Sequence, residues 1–197
     1  MGKRFTEIGE ERREFIERQK MFFVGTAAAE GRVNVSPKGM DALRVLGDTR
    51  VVWLNLTGSG NETAAHMVEN DRMTLMFCAF EGTPLILRLF GHATVIHRRD
   101  PEWNELFPLF PAIPGARQIF DMHVDLIQES CGMAVPLFAF GEQRDLLELW
   151  AERKGEQGLQ DFWENRNQES IDGKPTRISA QKPEVAITPG NSSDQRP

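Results

Sequence analysis

The sequence predicts a mainly β fold: a small six-stranded antiparallel barrel with flanking helices. Three observations carry this. Six apolar or alternating runs recur between residues 22 and 129. Short turns rich in Gly, Pro and Asp separate most of them, and helical periodicity is confined to the margins and brief interludes.

Residues 5–20 set Phe5, Ile8, Phe15 and Ile16 among charges, the pattern of a helix lying on a larger body. Phe22 to Ala29 is the first predicted strand, with Glu30-Gly31 as a tight hairpin turn. Arg32 to Ser36 alternates polar and apolar and is expected to stop at Pro37. Gly47-Asp48 marks a turn, and Arg50 to Thr57 is the third strand. Residues 61–70 give a short helix, and 72–80 and 85–97 two further strands. Asp100 before Pro101 is a helix start, and Pro108, Pro111 and Pro114 make the next segment irregular. Phe120 to Glu129 alternates as the sixth strand. Gly141 to Lys154 is an amphipathic helix, followed by a shorter one around Leu159 to Trp163. One domain is therefore expected over 1–171, with a polar, Pro-rich and loosely ordered tail over 172–197.

Bulk properties remove several function classes. In 197 residues, a net charge of -6 argues against a general binder of nucleic acid or anionic membrane, which needs a basic face. No run approaches the ~20 apolar residues of a membrane span, and the first residues lack the apolar core of a signal peptide. A cytoplasmic protein is the expectation. Cys78 and Cys131 stand in separate segments and the four histidines are scattered, so no metal site and no disulfide framework is implied.

The most informative stretch is Leu56-Thr-Gly-Ser-Gly-Asn-Glu-Thr63, placed between a strand and a helix. Glycines let the backbone approach a ligand closely, and free N–H groups with the helix dipole favour a phosphate. The dinucleotide fingerprint is not met, because Thr63 stands where its third glycine would be. A second reading needs no ligand: Ser59 and Glu62 have the spacing of a capping box.

Five segments, in order, resemble the pyridoxamine 5'-phosphate oxidase-like family, the FMN-binding split barrels. They are Gly31-Arg-Val-Asn-Val-Ser-Pro-Lys-Gly39, Trp53-Leu-Asn-Leu-Thr-Gly-Ser-Gly-Asn-Glu-Thr63 and Leu87-Arg-Leu-Phe-Gly-His-Ala93, then Ser130-Cys-Gly-Met-Ala-Val-Pro136, and finally Gly141-Glu-Gln-Arg144 with Asn167-Gln-Glu-Ser-Ile-Asp-Gly173. The last two segments are similar to an uncharacterised branch. The Arg-x-x-Leu-Leu-Lys strand and C-terminal Trp-Arg…Arg-Leu segment of the vitamin B6 enzyme itself do not occur.

The resemblance implies a homodimer with FMN in clefts between subunits, and an FMN-dependent oxidoreductase of unknown substrate. It implies cofactor contacts from Val35, Ser36, Pro37 and Lys38, and from Trp53, Leu54 and Asn55 along the ring. Ser59, Gly60, Asn61 and Thr63 would hold the phosphate, Arg88 would add positive charge, and Cys131 with Gly132 would close the site. From the residues alone, Lys38 and Arg88 equally suit a solvated barrel rim, Trp53 a core position, and Arg117 either an anion or the surface. Glu62 beside a phosphate dianion is expected to point away from it. No catalytic residue emerges. Alternatives are a flavin carrier or sensor, and a split barrel taking deazaflavin or haem.

Overall fold

The computed structural model describes residues 2–179. In chain order run β1 (Lys3–Phe5), α1 (Gly9–Arg18), β2 (Phe22–Thr26), β3 (Asn34–Lys38), β4 (Leu43–Gly47) and β5 (Arg50–Leu56). There follow α2 (Glu62–Glu69), β6 (Arg72–Cys78), β7 (Ile86–His97), α3 (Pro101–Leu106), β8 (Ala116–Ser130) and α4 (Leu146–Arg166). The strands pair antiparallel in one sheet ordered β3-β2-β6-β7-β8-β5-β4, with β1 added at β8.

Strand β8 organises the split. One of its edges carries β7, while the other is divided: residues 116–123 pair with β5 and residues 127–129 with β1. Inward side chains from six strands, among them Phe22, Val45, Val51, Leu75, Leu89 and Phe120, meet in one buried cluster. That convergence is what a sheet curled into a split barrel requires. Trp53 lies at its centre, stacked on Phe120 with ring centroids 4.5 Å apart. The outer face of β5, β7 and β8 is covered by α3 and the loop after it, through Trp103, Leu106, Phe110 and Ile113. β5 is buried on both faces, which is why it is a continuous apolar run rather than an alternating one.

The structure corrects several expectations. There are eight strands, not six: β1 has only three residues, and β4, Leu-Arg-Val-Leu-Gly, lacks a polar–apolar alternation. β1 is only Lys-Arg-Phe, and its one apolar residue, Phe5, falls in the helix expected over 5–20. The strand expected to stop at Pro37 continues to Lys38, with Pro37 opposite Phe23. β3 is an edge strand, so the missing N–H breaks no ladder on its open side. The link from β2 to β3 spans residues 27–33 rather than a tight two-residue turn. The amphipathic helix begins at Leu146, not Gly141; Gly155, at φ 65° and ψ 172°, then interrupts α4, so the helix before it and the one through Leu159 to Trp163 are separate helical segments, as expected.

Gly91 explains one glycine of the third similar segment. A Cβ there would lie 1.9 Å from the carbonyl oxygen of His123, at the β7–β8 bulge.

The predicted loose tail starts too early. Thr176 and Ile178 are buried, Glu169 bridges to Pro175, and Arg99 donates to the carbonyls of Arg177 and Ile178 at 2.8 and 2.7 Å. Ile178 joins Ala151, Leu159 and Trp163 in a third apolar cluster, which holds this segment on the domain. The rest of that expectation, residues 180–197, lies outside the described residues.

Candidate functional site

Edge strand β3 alternates as its sequence dictates. Asn34, Ser36 and Lys38 line a cleft of about 490 Å³, while Val35 and Pro37 face outward. The opposite wall is built by Asn55 at the end of β5, the turn Gly58–Asn61, the start of α2 and Arg117 at the start of β8. Arg32, Val33 and Ile171 form the rim. The volume falls within the range of small-molecule sites, roughly 300–1,000 Å³.

Two cations lose water here, Arg117 buried and Lys38 half-buried. Arg117 is only 4% exposed. Its Nη1 donates to the carbonyl of Gly60 at 3.1 Å and to Asn167 Oδ1 at 2.7 Å. Burial pulls its guanidinium down to about 9. Lys38 Nζ sits 5.3 Å from the Trp53 ring centroid. Burial first, and the Arg117 charge second, lower its pKa from 10.5 to about 8. Among the described residues no carboxylate enters as a cause for either, so each charge is desolvated without an ion-pair partner.

The neutral polar groups tell the same story. Ser36 Oγ, Asn55 Oδ1, both amide atoms of Asn61, and Arg117 Nε are buried without a hydrogen-bond partner in the described structure. Buried polar atoms are nearly always satisfied, and leaving one unmade costs about 1–3 kcal/mol. Five such atoms on residues lining one cleft fit a ligand that both accepts and donates hydrogen bonds.

The capping-box reading fails. Asn61, not Ser59, is the N-cap of α2, and it makes no side-chain capping bond. The Glu62 carboxylate instead accepts from the backbone N–H of Ile171 at 3.1 and 3.2 Å. The one acid of the cleft wall is therefore engaged with the C-terminal segment.

The structure brings together Ser36, Lys38, Asn55, Ser59, Gly60, Asn61 and Thr63. Trp53 lies beneath Lys38 as a core residue, and Leu54 belongs to the outer apolar cluster under α3. Arg88, Cys131 and Gly132 are elsewhere. Arg88 Nη1 donates to Ser130 Oγ at 3.0 Å, Cys131 is exposed, and Gly132 packs against the Leu85 backbone. Within one protomer these three do not line the cleft.

Sequence reasoning missed Arg32, Val33, Asn34, Gly58, Ile171 and the deep position of Arg117. Arg117 follows an irregular Pro/Gly loop, so its burial carries no local signal. Among the described residues no cluster of His, Cys, Asp and Glu is placed to hold a metal, and no helix is long and apolar enough to cross a membrane.

Comparison with known proteins bears on the family and the fold. The profile of the pyridoxamine 5'-phosphate oxidase family matches residues 8–131. Over 138 residues the chain is 38% identical to the pyridoxamine 5'-phosphate oxidase family protein ustO of Aspergillus flavus, covering 68% of this chain and 55% of that protein. The chain thus spans about half the length of the curated relative it matches. Among solved structures, a point variant of HupZ from Group A Streptococcus, with alanine in place of a histidine, superposes with a TM-score of 0.52 at 19% identity, covering 62% of this chain and 99% of that one. A second HupZ structure from the same source gives 0.50 at 19% identity, covering 60% and 91%. These two likenesses concern the fold alone. With the family profile spanning most of the barrel, from Ile8 to Cys131, this chain belongs to the pyridoxamine 5'-phosphate oxidase family.

Proposed function

We propose that the cleft binds FMN and that the protein is an FMN-dependent oxidoreductase working as a homodimer. One observation carries the cofactor reading: a buried and a half-buried cation without counter-ions converge with unpartnered Ser36, Asn55 and Asn61 at a helix N-terminus. A phosphate dianion complements that set, since it accepts from ammonium, guanidinium, hydroxyl and amide donors together. Lys38, Ser36, Ser59, Asn61 and Thr63 would hold the phosphate. Asn55 would meet a polar edge of the ring, its Nδ2 already donating to Gln118 Oε1 at 3.3 Å and its Oδ1 free to accept.

When bound, the flavin supplies hydride acceptance and donation. The chain's own residues bind, orient and exclude water; none lining the cleft is assigned as an acid or base. Among the described residues of one protomer, the cleft lining contains no histidine. Arg88, Cys131 and Gly132, remote from their own cleft, would then complete that of the second subunit.

The absorption spectrum of the purified protein, with mass analysis of whatever heat releases, tests this. A flavin band and released FMN are expected. A colourless protein that ignores added FMN overturns the cofactor. A flavin that NADH or NADPH and a defined acceptor cannot cycle overturns the oxidoreductase and leaves a carrier.

A further inference from the structure

The turn Thr57–Asn61 is held from behind by residues far along the chain. Asn167, fully buried at the end of α4, donates through Nδ2 to the carbonyls of Gly58 and Ser59 at 3.1 and 3.4 Å. Arg117 Nη1 donates to the next carbonyl, that of Gly60, at 3.1 Å, and also to Asn167 Oδ1 at 2.7 Å. Trp163 Nε1 donates to Thr57 Oγ1 at 2.9 Å, and Thr57 Oγ1 donates to the carbonyl of Gly115 at 2.8 Å. The Asn167 carbonyl itself accepts from Thr176 Oγ1 at 2.5 Å. Three consecutive carbonyls of the turn are therefore drawn to one side by a linked pair of side chains.

That arrangement has an electrostatic consequence. A carbonyl oxygen directed at a phosphate repels it, and an N–H attracts it. Many anion-binding turns set this polarity with residues at positive φ, but neither Gly58 nor Gly60 uses that region here. The polarity of this turn is imposed by side chains instead.

We infer that Asn167, acting with Arg117, is a positioning residue that turns the Gly58–Gly60 carbonyls away from the cleft and so makes the turn selective for a phosphate-bearing ligand. The inference rests on the FMN reading and deepens it: the phosphate group, rather than the flavin ring, is what Asn167 serves. Asn167 also ties the C-terminal segment to the site, because the turn that follows it places Ile171 on the cleft rim and sets its N–H on Glu62.

Riboflavin, which is FMN without the phosphate, gives the test. Wild-type protein is titrated with FMN and with riboflavin by flavin fluorescence, alongside the neutral variants Asn167→Ala and Asn167→Ser. Ser stays polar and uncharged but is too short to hold both carbonyls and Arg117 at once, so it removes the polarity control without adding charge near the phosphate. The expected result is preference of the wild type for FMN, and in both variants an FMN affinity lower by about tenfold or more, the scale of one charge-assisted hydrogen bond, with riboflavin affinity within about threefold of wild type. Should Ala unfold the protein, Ser alone decides. Parallel losses for both ligands, or no loss for either, overturn the positioning role while leaving the FMN site intact. A wild type with no preference for FMN over riboflavin overturns the phosphate site and this role together.

Discussion

The cleft and the Arg88 region use the same residue types in opposite states. At Arg88 the guanidinium finds Ser130 Oγ, and Gly132 fits tightly against Leu85. In the cleft, Lys38 and Arg117 are desolvated without an ion-pair partner, and Ser36, Asn55 and Asn61 leave buried atoms unmatched. The lesson is that neither residue type nor one unmet hydrogen bond marks a ligand site; several unmet hydrogen bonds converging with uncompensated charge under burial do. In the barrel core beneath, the wholly buried Trp53 also leaves its Nε1 without a partner, but among apolar neighbours.

Substitutions break this contrast in a graded way. Trp53→Ala empties the centre of the core and is expected to cost about 3–5 kcal/mol of stability, measured by denaturant unfolding. A smaller loss, with FMN affinity falling instead, would move Trp53 from core to cofactor contact. Lys38→Met is expected to weaken FMN binding by about 1–3 kcal/mol, without loss of stability in the ligand-free protein, because it removes a charge that burial disfavours. A destabilised ligand-free variant would show that Lys38 has a structural partner after all.

Titration sharpens the same point. The unfolded chain holds the Lys38 proton up to its ordinary pKa of 10.5, whereas the folded chain releases it near 8. Between those values the unfolded state binds more protons, so ligand-free stability gains from Lys38 as pH rises. Arg117, lowered to about 9, acts in the same direction above that pH. FMN affinity is expected to fall over the same window as the positive charge is lost. Melting curves and titrations across it should therefore move oppositely, and Lys38→Met should flatten the Lys38 part of both. Parallel trends would sink the assignment of Lys38 to the ligand.

The smallest effect is expected of Arg88→Ala in a protomer considered alone, where one hydrogen bond to Ser130 is worth about 0.5–1.5 kcal/mol of stability. If FMN affinity falls as far as in the Lys38 variant, Arg88 reaches the cleft of a second subunit. If affinity is unchanged, the cofactor role implied by family resemblance does not hold for Arg88.

Much of this was legible in the chain itself. Alternation over Asn34–Lys38 set which side chains share a face, the apolar runs located six of eight strands, and the glycine turn between strand and helix marked one wall of the cleft. These are local properties, written in spacing and backbone freedom. β1 was not legible because three residues define no period, and β4 because Leu-Arg-Val-Leu-Gly does not alternate polar with apolar.

Other features belong to the tertiary structure. That Pro37 continues a strand depends on β3 being an edge. That Arg88 stands apart from Lys38, although both are basic residues in strands, depends on which strands neighbour each other. That Arg117 is a buried cation, and that Asn167 grips a turn more than a hundred residues earlier in the chain, depends on chain segments packing together. Burial and hydrogen-bond partnership are properties of pairs of segments, so a sequence read along its length determines the faces of each element while only their packing decides which charges lose their water.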